Sequence, residues 1–373
     1  MEQVSGRLLC YVAPNNASDL AVVHQAAALT GGHAGSGLVM RGPHTHDVLR
    51  SLGRAAPRSS ARQPVVVDPG NWTKTIATAD VPLGLPADED VLIPLTLCEW
   101  AQSWFDAGAD GLLTPSKFVQ SEDWPALKAV LAAGAQASDP RVATLVATDA
   151  AMLDRPRLAT FLDAVDEQRG GRPLAFVFAA GSAPLARTAR MAGLRALLGA
   201  FPDSLVVGVE VLAATDVLVR GGDAAIGLLS SQRQPRRPQD TGGGPLSAGY
   251  RPGMFLRELW ETRNPSIYAD WYADRAAPTC ARCGGRTPDS FTTDAADKAA
   301  VLVHNVHAWL EVLSDLRWAG ETAREWLVGE RWRAHDAHRE LGPPGSGVPV
   351  DALLAALCEL DGPQGHRQAV PTR

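Results

Sequence analysis

From residue 7 to residue 229 the chain alternates short apolar runs with helix-compatible segments. The runs cover 7–12, 37–41, 64–68, 110–114, 143–147, 174–179, 205–209 and 224–229. None alternates apolar with polar positions, which is the pattern of parallel strands buried on both faces. The segments between them, such as 97–107 and 124–133, space their apolar residues at helical intervals. These eight strand–helix units predict an α/β fold, a (β/α)8 TIM barrel over residues 1–240. An open doubly wound sheet is the alternative, because counting runs does not show closure.

Several runs end in polar or turn residues: Asp68-Pro69-Gly70-Asn71-Trp72, Thr114-Pro115-Ser116-Lys117, Thr148-Asp149 and Glu210. In a barrel such residues stand at the C-terminal mouth, where the βα loops build active sites. Asp, Ser and Thr at strand ends also cap the helix that follows, so each has a structural reading beside the functional one.

Beyond the runs comes a loop over 232–245 rich in Arg, Pro, Gln and Gly, then an aromatic stretch over 250–272. A cysteine pair follows, and a helical region from about 293 to 340 carries Trp309, Trp318, Trp326 and Trp332, read mostly as packing residues. Residues 241–341 are therefore expected to form a knuckle and helical subdomain that completes the barrel. Residues 342–373 are expected to be a Gly/Pro linker, a short amphipathic helix over 350–360 and a frayed end.

Composition narrows this reading. Apolar residues are 46% of the chain and charged ones 20%, so the chain folds around a core. A net charge of −6 argues against a surface coated for nucleic acid, but leaves room for a local basic patch. The N-terminus lacks a basic region followed by an apolar run, and no apolar stretch is long enough to span a bilayer. Five cysteines in 373 residues do not make a disulfide framework. The expected setting is the cytoplasm, with no membrane partner. Cys10, Cys98 and Cys358 are expected to be buried apolar filler. His33, His44 and His46 are read as solvated loop histidines rather than ligands.

The clearest chemistry lies in Cys280-Ala281-Arg282-Cys283, followed by His304-Asn305-Val306-His307. A Cys-x2-Cys pair supplies two thiolates from a tight turn that Gly284-Gly285 permit. Two histidines at i, i+3 share one face of a helix. Four protein ligands of this kind form a closed site, so the predicted zinc is structural.

The stretch Tyr268-Ala269-Asp270-Trp271, then Cys280 and Cys283, then His304-Asn305, resembles the zinc region of tRNA-guanine transglycosylases. That family carries Cys-x-Cys-x2-Cys and a distal helical His, followed by Asn in archaeal members. Its first cysteine falls on Pro278 here, and His307 is the proposed replacement ligand. The segment from Asp68 to Trp72 is similar to the family's Asp-Ser-Gly-Gly-Phe motif. The resemblance thus implies a base-contacting, general acid/base role for Asp68, with Gly70, Asn71, Trp72, Ser116 and Lys117 around a purine-type base.

The family's nucleophilic Asp, in Gly-x-Asp-x-Phe-Asp, falls on Ile226 when counted from Asp223. A carboxylate there traps oxocarbenium-like charge on the ribose, which isoleucine cannot do. Asp223 stands at an odd offset from Ile226 on the same strand, so it faces the other way. Glu210 and Asp149 are the candidate substitutes. Arg233, Arg236 and Arg237, with Arg41 and Lys117 as extensions, are the candidate phosphate-binding residues. The resemblance implies base exchange of the 7-deazaguanine/guanine type in tRNA or DNA. Alternatively it implies a zinc-containing accessory or nucleic-acid-binding chain without the nucleophile, in a homo- or hetero-oligomer. An unrelated (β/α)8 enzyme of small-molecule metabolism is a third reading.

Overall fold

The computed structural model describes residues 4–13, 17–42, 45–55, 63–85, 95–240, 250–341 and 347–362. Eight parallel strands close a barrel in sequence order. They are β1 (Leu8–Val12), β2 (Ser36–Arg41), β3 (Val65–Asp68), β4 (Gly111–Leu113), β5 (Val142–Asp149), β6 (Leu174–Ala179), β7 (Leu205–Val209) and β8 (Asp223–Gly227). Closure is the pairing of β1 with β8, Leu8 opposite Ala224 through Tyr11 opposite Gly227. This decides for the (β/α)8 barrel over the open sheet.

Side-chain alternation sorts the strand residues into two cores. Leu9, Tyr11, Val39, Val66, Leu113, Leu145, Ala147, Ala175, Val177, Val207 and Ala225 fill the barrel interior. Their neighbours, among them Cys10, Met40, Val67, Leu112, Phe176, Val206 and Ile226, pack outward against the helices. Around the barrel run α1 (Ala17–Gly31), α2 (Thr45–Ala55), α3 (Leu97–Asp106), α4 (Trp124–Gly134), α5 (Arg155–Gln168), α6 (Thr188–Ala200) and α7 (Val211–Leu218). Their starts follow local capping chemistry. Thr96 and Glu99 form a capping box on α3, and Asp123 accepts from the Ala126 N–H at the head of α4.

Only a four-residue turn, α8 (Ser230–Arg233), follows β8 directly. The helix that covers this side of the barrel arrives much later. After the hairpin β9 (Met254–Leu256) and β10 (Glu261–Arg263) and the helix α9 (Pro265–Trp271) comes α10 (Ala295–Ala319). It packs on α1 and β1, with Leu302, Val306, Leu310 and Leu313 in the outer core. The expected single helical region is two helices. Gly320 (φ 55°) ends α10, and α11 (Ala323–Glu340) runs on after it. Trp309 and Trp326 are buried, as packing residues should be, but Trp318 is 56% exposed. α12 (Ala352–Asp361) docks on α6, α7 and α11, and so belongs to the helical layer rather than to a detached tail. Of the expected Gly/Pro linker, residues 342–346 lie outside the described residues, as does the chain end beyond Gly362.

A buried ionic network ties these late helices to the barrel. Asp216 on α7 accepts from Arg195 (2.8 Å) and Arg331 (2.9 Å), and pairs with Arg220 (3.2 Å). Arg331 also reaches Asp361 at the end of α12 at 2.8 Å. Burial pushes the Asp216 carboxyl up, but the guanidiniums of Arg331, Arg195 and Arg220 outweigh burial and hold it well below the usual carboxylate range. A carboxylate lowered in the fold contributes stability that is complete above its unfolded value, near pH ~4, and is lost as pH falls below it. Removing one member leaves a buried charge uncompensated. Asp216→Asn should therefore cost about 3–5 kcal/mol in urea unfolding at neutral pH. A cost under about 1 kcal/mol would place the network among weak surface pairs.

Candidate metal centre and barrel mouth

The cysteine pair sits in a knuckle fixed by backbone bonds. The Cys283 and Gly285 amides both donate to the Cys280 carbonyl at 3.0 Å, and Cys280 bridges to Arg286. Gly284 (φ 70°) and Gly285 (φ 75°) occupy the left-handed region that this turn requires. His304 and His307 project from one face of α10. Cys283 Sγ lies 3.4 Å from His304 Nδ1 and 3.3 Å from His307 Nε2, and Cys280 Sγ lies 3.8 Å from His307 Nε2. All four donor atoms fall within 4.8 Å of one another. Metal–ligand bonds of about 2.0–2.3 Å give tetrahedron edges of roughly 3.3–3.8 Å. The four residues can thus hold a metal ion, and a two-sulfur, two-nitrogen tetrahedral set is one that zinc takes.

The surroundings prepare the donors. His304 Nε2 donates to the Phe255 carbonyl at 2.9 Å, which leaves Nδ1 as a lone pair facing the thiols. Beside it, Asn305 accepts from the Phe255 N–H (2.7 Å) and donates to the Gly253 carbonyl (2.8 Å), strapping β9 to α10. Burial, with Cys280 next, pushes the Cys283 thiol up to about 12 without a metal. Burial, then His304 and Arg282, pushes His307 down to about 4. The imidazoles are therefore neutral and ready to ligate, whereas the thiol gives up its proton only to a metal. Pro278 lines the same cavity as Cys280 and His304.

The mouth of the barrel is a separate place. Asp68 is 1% exposed and its carboxylate is filled: Tyr11 Oη donates at 2.6 Å, the Gly70 N–H at 2.8 Å and Trp72 Nε1 at 3.2 Å. Trp72 and Phe118 join the inner core above Tyr11 and plug the mouth. Gly70 is left-handed (φ 76°), and a Cβ there would meet Arg41 Cδ at 2.7 Å. Asn71 donates to the Gly84 carbonyl at 2.6 Å. Ser116 is fully buried against the Thr114 hydroxyl (2.8 Å), so of Thr114, Pro115, Ser116 and Lys117 only Lys117 is part-exposed.

The remaining candidates scatter. Asp149 caps the Ala151 N–H at 2.8 Å and pairs with Arg237 at 3.2 Å, while Arg237 is also held by Asp240 at 2.9 Å. Arg233 does not reach solvent. Its guanidinium is buried on the Gly227 and Leu228 carbonyls, so its expected phosphate role is corrected to a structural one. Arg236 is exposed. Glu210 stands apart from Asp68. A bulge at Gly208 (φ 73°) breaks the alternation of β7, and Glu210 borders a separate cavity of about 50 Å³ with Phe178, Leu185, Val209 and Leu353. There Glu210 accepts from Gln234 at 2.7 Å, and burial, then Asp351, raises its carboxyl. Ile226 faces the outer core and Asp223 pairs with Arg7, so neither is near Asp68's side of β8's mouth end. Cys98, expected to be buried, is exposed, while Cys10 and Cys358 are buried. His46 stacks on Trp104 at 3.8 Å, and His44 lies outside the described residues. The sequence reading gave no weight to Tyr11, the closest partner of Asp68; its place one residue before the mouth end of β1 was the available signal.

No family model matches the chain, and no curated protein matches it. Among solved structures it is similar to YagE from E. coli K12, a prophage protein belonging to the dihydrodipicolinic acid synthase family, in complex with pyruvate. The identity is 14%, over 95% of this chain and 98% of that one, with a TM-score of 0.35. At that score the barrel rests on its own strand pairing. No helix among the described residues is long and apolar enough to cross a membrane.

The purified full-length chain should carry about one tightly bound metal ion, measured by elemental analysis. Cys283→Ser, which removes the sulfur nearest both imidazoles, should lose most of that metal and lower the melting temperature. A wild-type chain free of metal and equally stable would contradict the site.

Proposed function

We propose that this chain is a zinc-containing, transglycosylase-like barrel that binds nucleic acid, tRNA or DNA, without itself exchanging a base. The observation that carries this reading is the closure of Asp68. A general acid/base must reach a substrate proton, yet this carboxylate is buried with its hydrogen bonds taken by Tyr11, Gly70 and Trp72. The outward-facing Ile226 adds to it, since no carboxylate stands where the family's nucleophile would. The close set of Cys280, Cys283, His304 and His307, four protein donors of the type that tetrahedral zinc takes, supports zinc as a structural ion. Lys117 and Arg236, which both reach solvent, are the candidate phosphate contacts.

A second reading has one observation in its favour. Asp68 and Asp149 both end strands whose preceding inward residues, Val66 and Ala147, line the interior. A pair of mouth carboxylates is what hydrolysis or exchange at a glycosidic carbon uses. The two readings part in one assay. Labelled guanine should not enter tRNA or DNA in the presence of the chain. Incorporation that Asp68→Asn abolishes would overturn the non-catalytic reading. Binding of tRNA or duplex DNA should weaken with rising salt, and the Lys117→Ala, Arg236→Ala variant should show a shallower salt dependence, by about one to two ions released. Absence of any binding at low salt would reject the nucleic-acid role.

A further inference from the structure

Arg41 ends β2 beside Asp68, its register partner on β3, and both continue the inward-facing set of their strands. Its guanidinium lies 5.4 Å from the Tyr11 ring centroid and 5.4 Å from the Trp72 ring centroid. The stem lies across Gly70, where any Cβ would collide with Cγ and Cδ at 2.8 and 2.7 Å. Aromatic faces on the head and a bare glycine under the stem hold the side chain in one place before any ligand arrives.

What the guanidinium lacks is a direct ion pair. Asp68 turns its two oxygens to Tyr11, Gly70 and Trp72, and Arg41 meets that carboxylate only through the Tyr11 hydroxyl, with no ion pair of its own among the described residues. The contrast with the other mouth arginine is direct, since Arg237 is held by both Asp149 and Asp240. Arg41 is half-buried and its side chain is engaged by the Tyr11 hydroxyl, so the guanidinium is fixed at one corner and only part of its donor fork is left to a ligand. A planar, permanently charged fork that is fixed and weakly hydrated is a receptor for an oxyanion.

We infer that Arg41 is an oxyanion subsite in the barrel mouth, and that its ligand is a phosphate group. The choice of phosphate over carboxylate rests on the nucleic-acid reading above; the existence of the subsite does not. The Trp72 ring beneath the guanidinium is then an edge of the same subsite, with its N–H committed to Asp68.

Titration of the full-length chain with inorganic phosphate at low ionic strength tests this directly. The readout is the indole N–H resonance of Trp72, assigned from its absence in Trp72→Phe, and acetate is titrated in parallel. Phosphate should shift the Trp72 resonance saturably and bind tighter than acetate. Arg41→Gln should weaken phosphate by about 10-fold to 100-fold, the range of a lost charged hydrogen bond. Arg41→Lys, which keeps the charge but not the fork, should fall between the two. Should Arg41→Gln fail to fold, the Lys variant and the wild-type comparison still decide. A wild-type chain that does not respond to phosphate, or an Arg41→Lys chain equal to wild type, overturns the subsite. Equal or tighter acetate binding overturns the phosphate assignment. A chain that binds phosphate through Arg41 but binds no nucleic acid keeps the subsite and removes the nucleic-acid reading, so the two failures are distinct.

Discussion

A parallel barrel closed by β1 and β8 needs a helix over the closing seam, and among the described residues this chain has none in the usual place. β8 is followed by a four-residue turn, and α10 begins at Ala295. The cover for the seam must therefore be carried back across a long excursion, whose ordering costs chain entropy. Two attachments meet that cost. Toward the knuckle, Cys280 and Cys283 face His304 and His307, and Asn305 straps β9 to the same turn of α10. Toward the other end, Arg331 on α11 reaches Asp216 of α7 and Asp361 of α12 at its own depth of burial. Between these two anchors α10 lays its apolar face on α1 and β1.

This arrangement separates what the metal cluster does from what the mouth does. The cluster has every donor used by protein, with the Phe255 carbonyl fixing the His304 ring, and leaves no coordination position for chemistry. The mouth has a sealed carboxylate at Asp68 and a cation at Arg41 stacked on the same two aromatic rings that seal it. In the reading proposed above, one place holds the fold together and the other presents charge to a ligand.

The strands were legible almost residue by residue, because parallel strands buried on both faces leave continuous apolar runs that few other elements imitate. The metal set was legible for a similar reason: residue type, turn glycines and helical spacing all had to agree. The misreadings share a cause in tertiary context. Gly208 was visible in the seventh run, but only its left-handed backbone tells that it is a bulge, and only the fold shows Glu210 beyond it taken up by Gln234 beside a separate cavity. Arg233 reads as a solvated loop cation until its guanidinium is seen on two buried carbonyls. Gly320 breaks what the apolar spacing presents as one helix, since the pattern resumes in register after it. Cys98 faces out from α3, a matter of which side of that helix meets the barrel.

The central claim is that the Cys–His cluster holds the seam-covering helix on the barrel. Amide hydrogen exchange of the full-length chain, with and without the metal stripped by a chelator, measures it most directly. Protection should fall first in β9, the N-terminal half of α10 and the β1–β8 seam, while β4 to β6 on the far side stay protected. Exchange that rises only in the knuckle around Cys280 and Cys283, with α10 and the seam unchanged, would contradict the account.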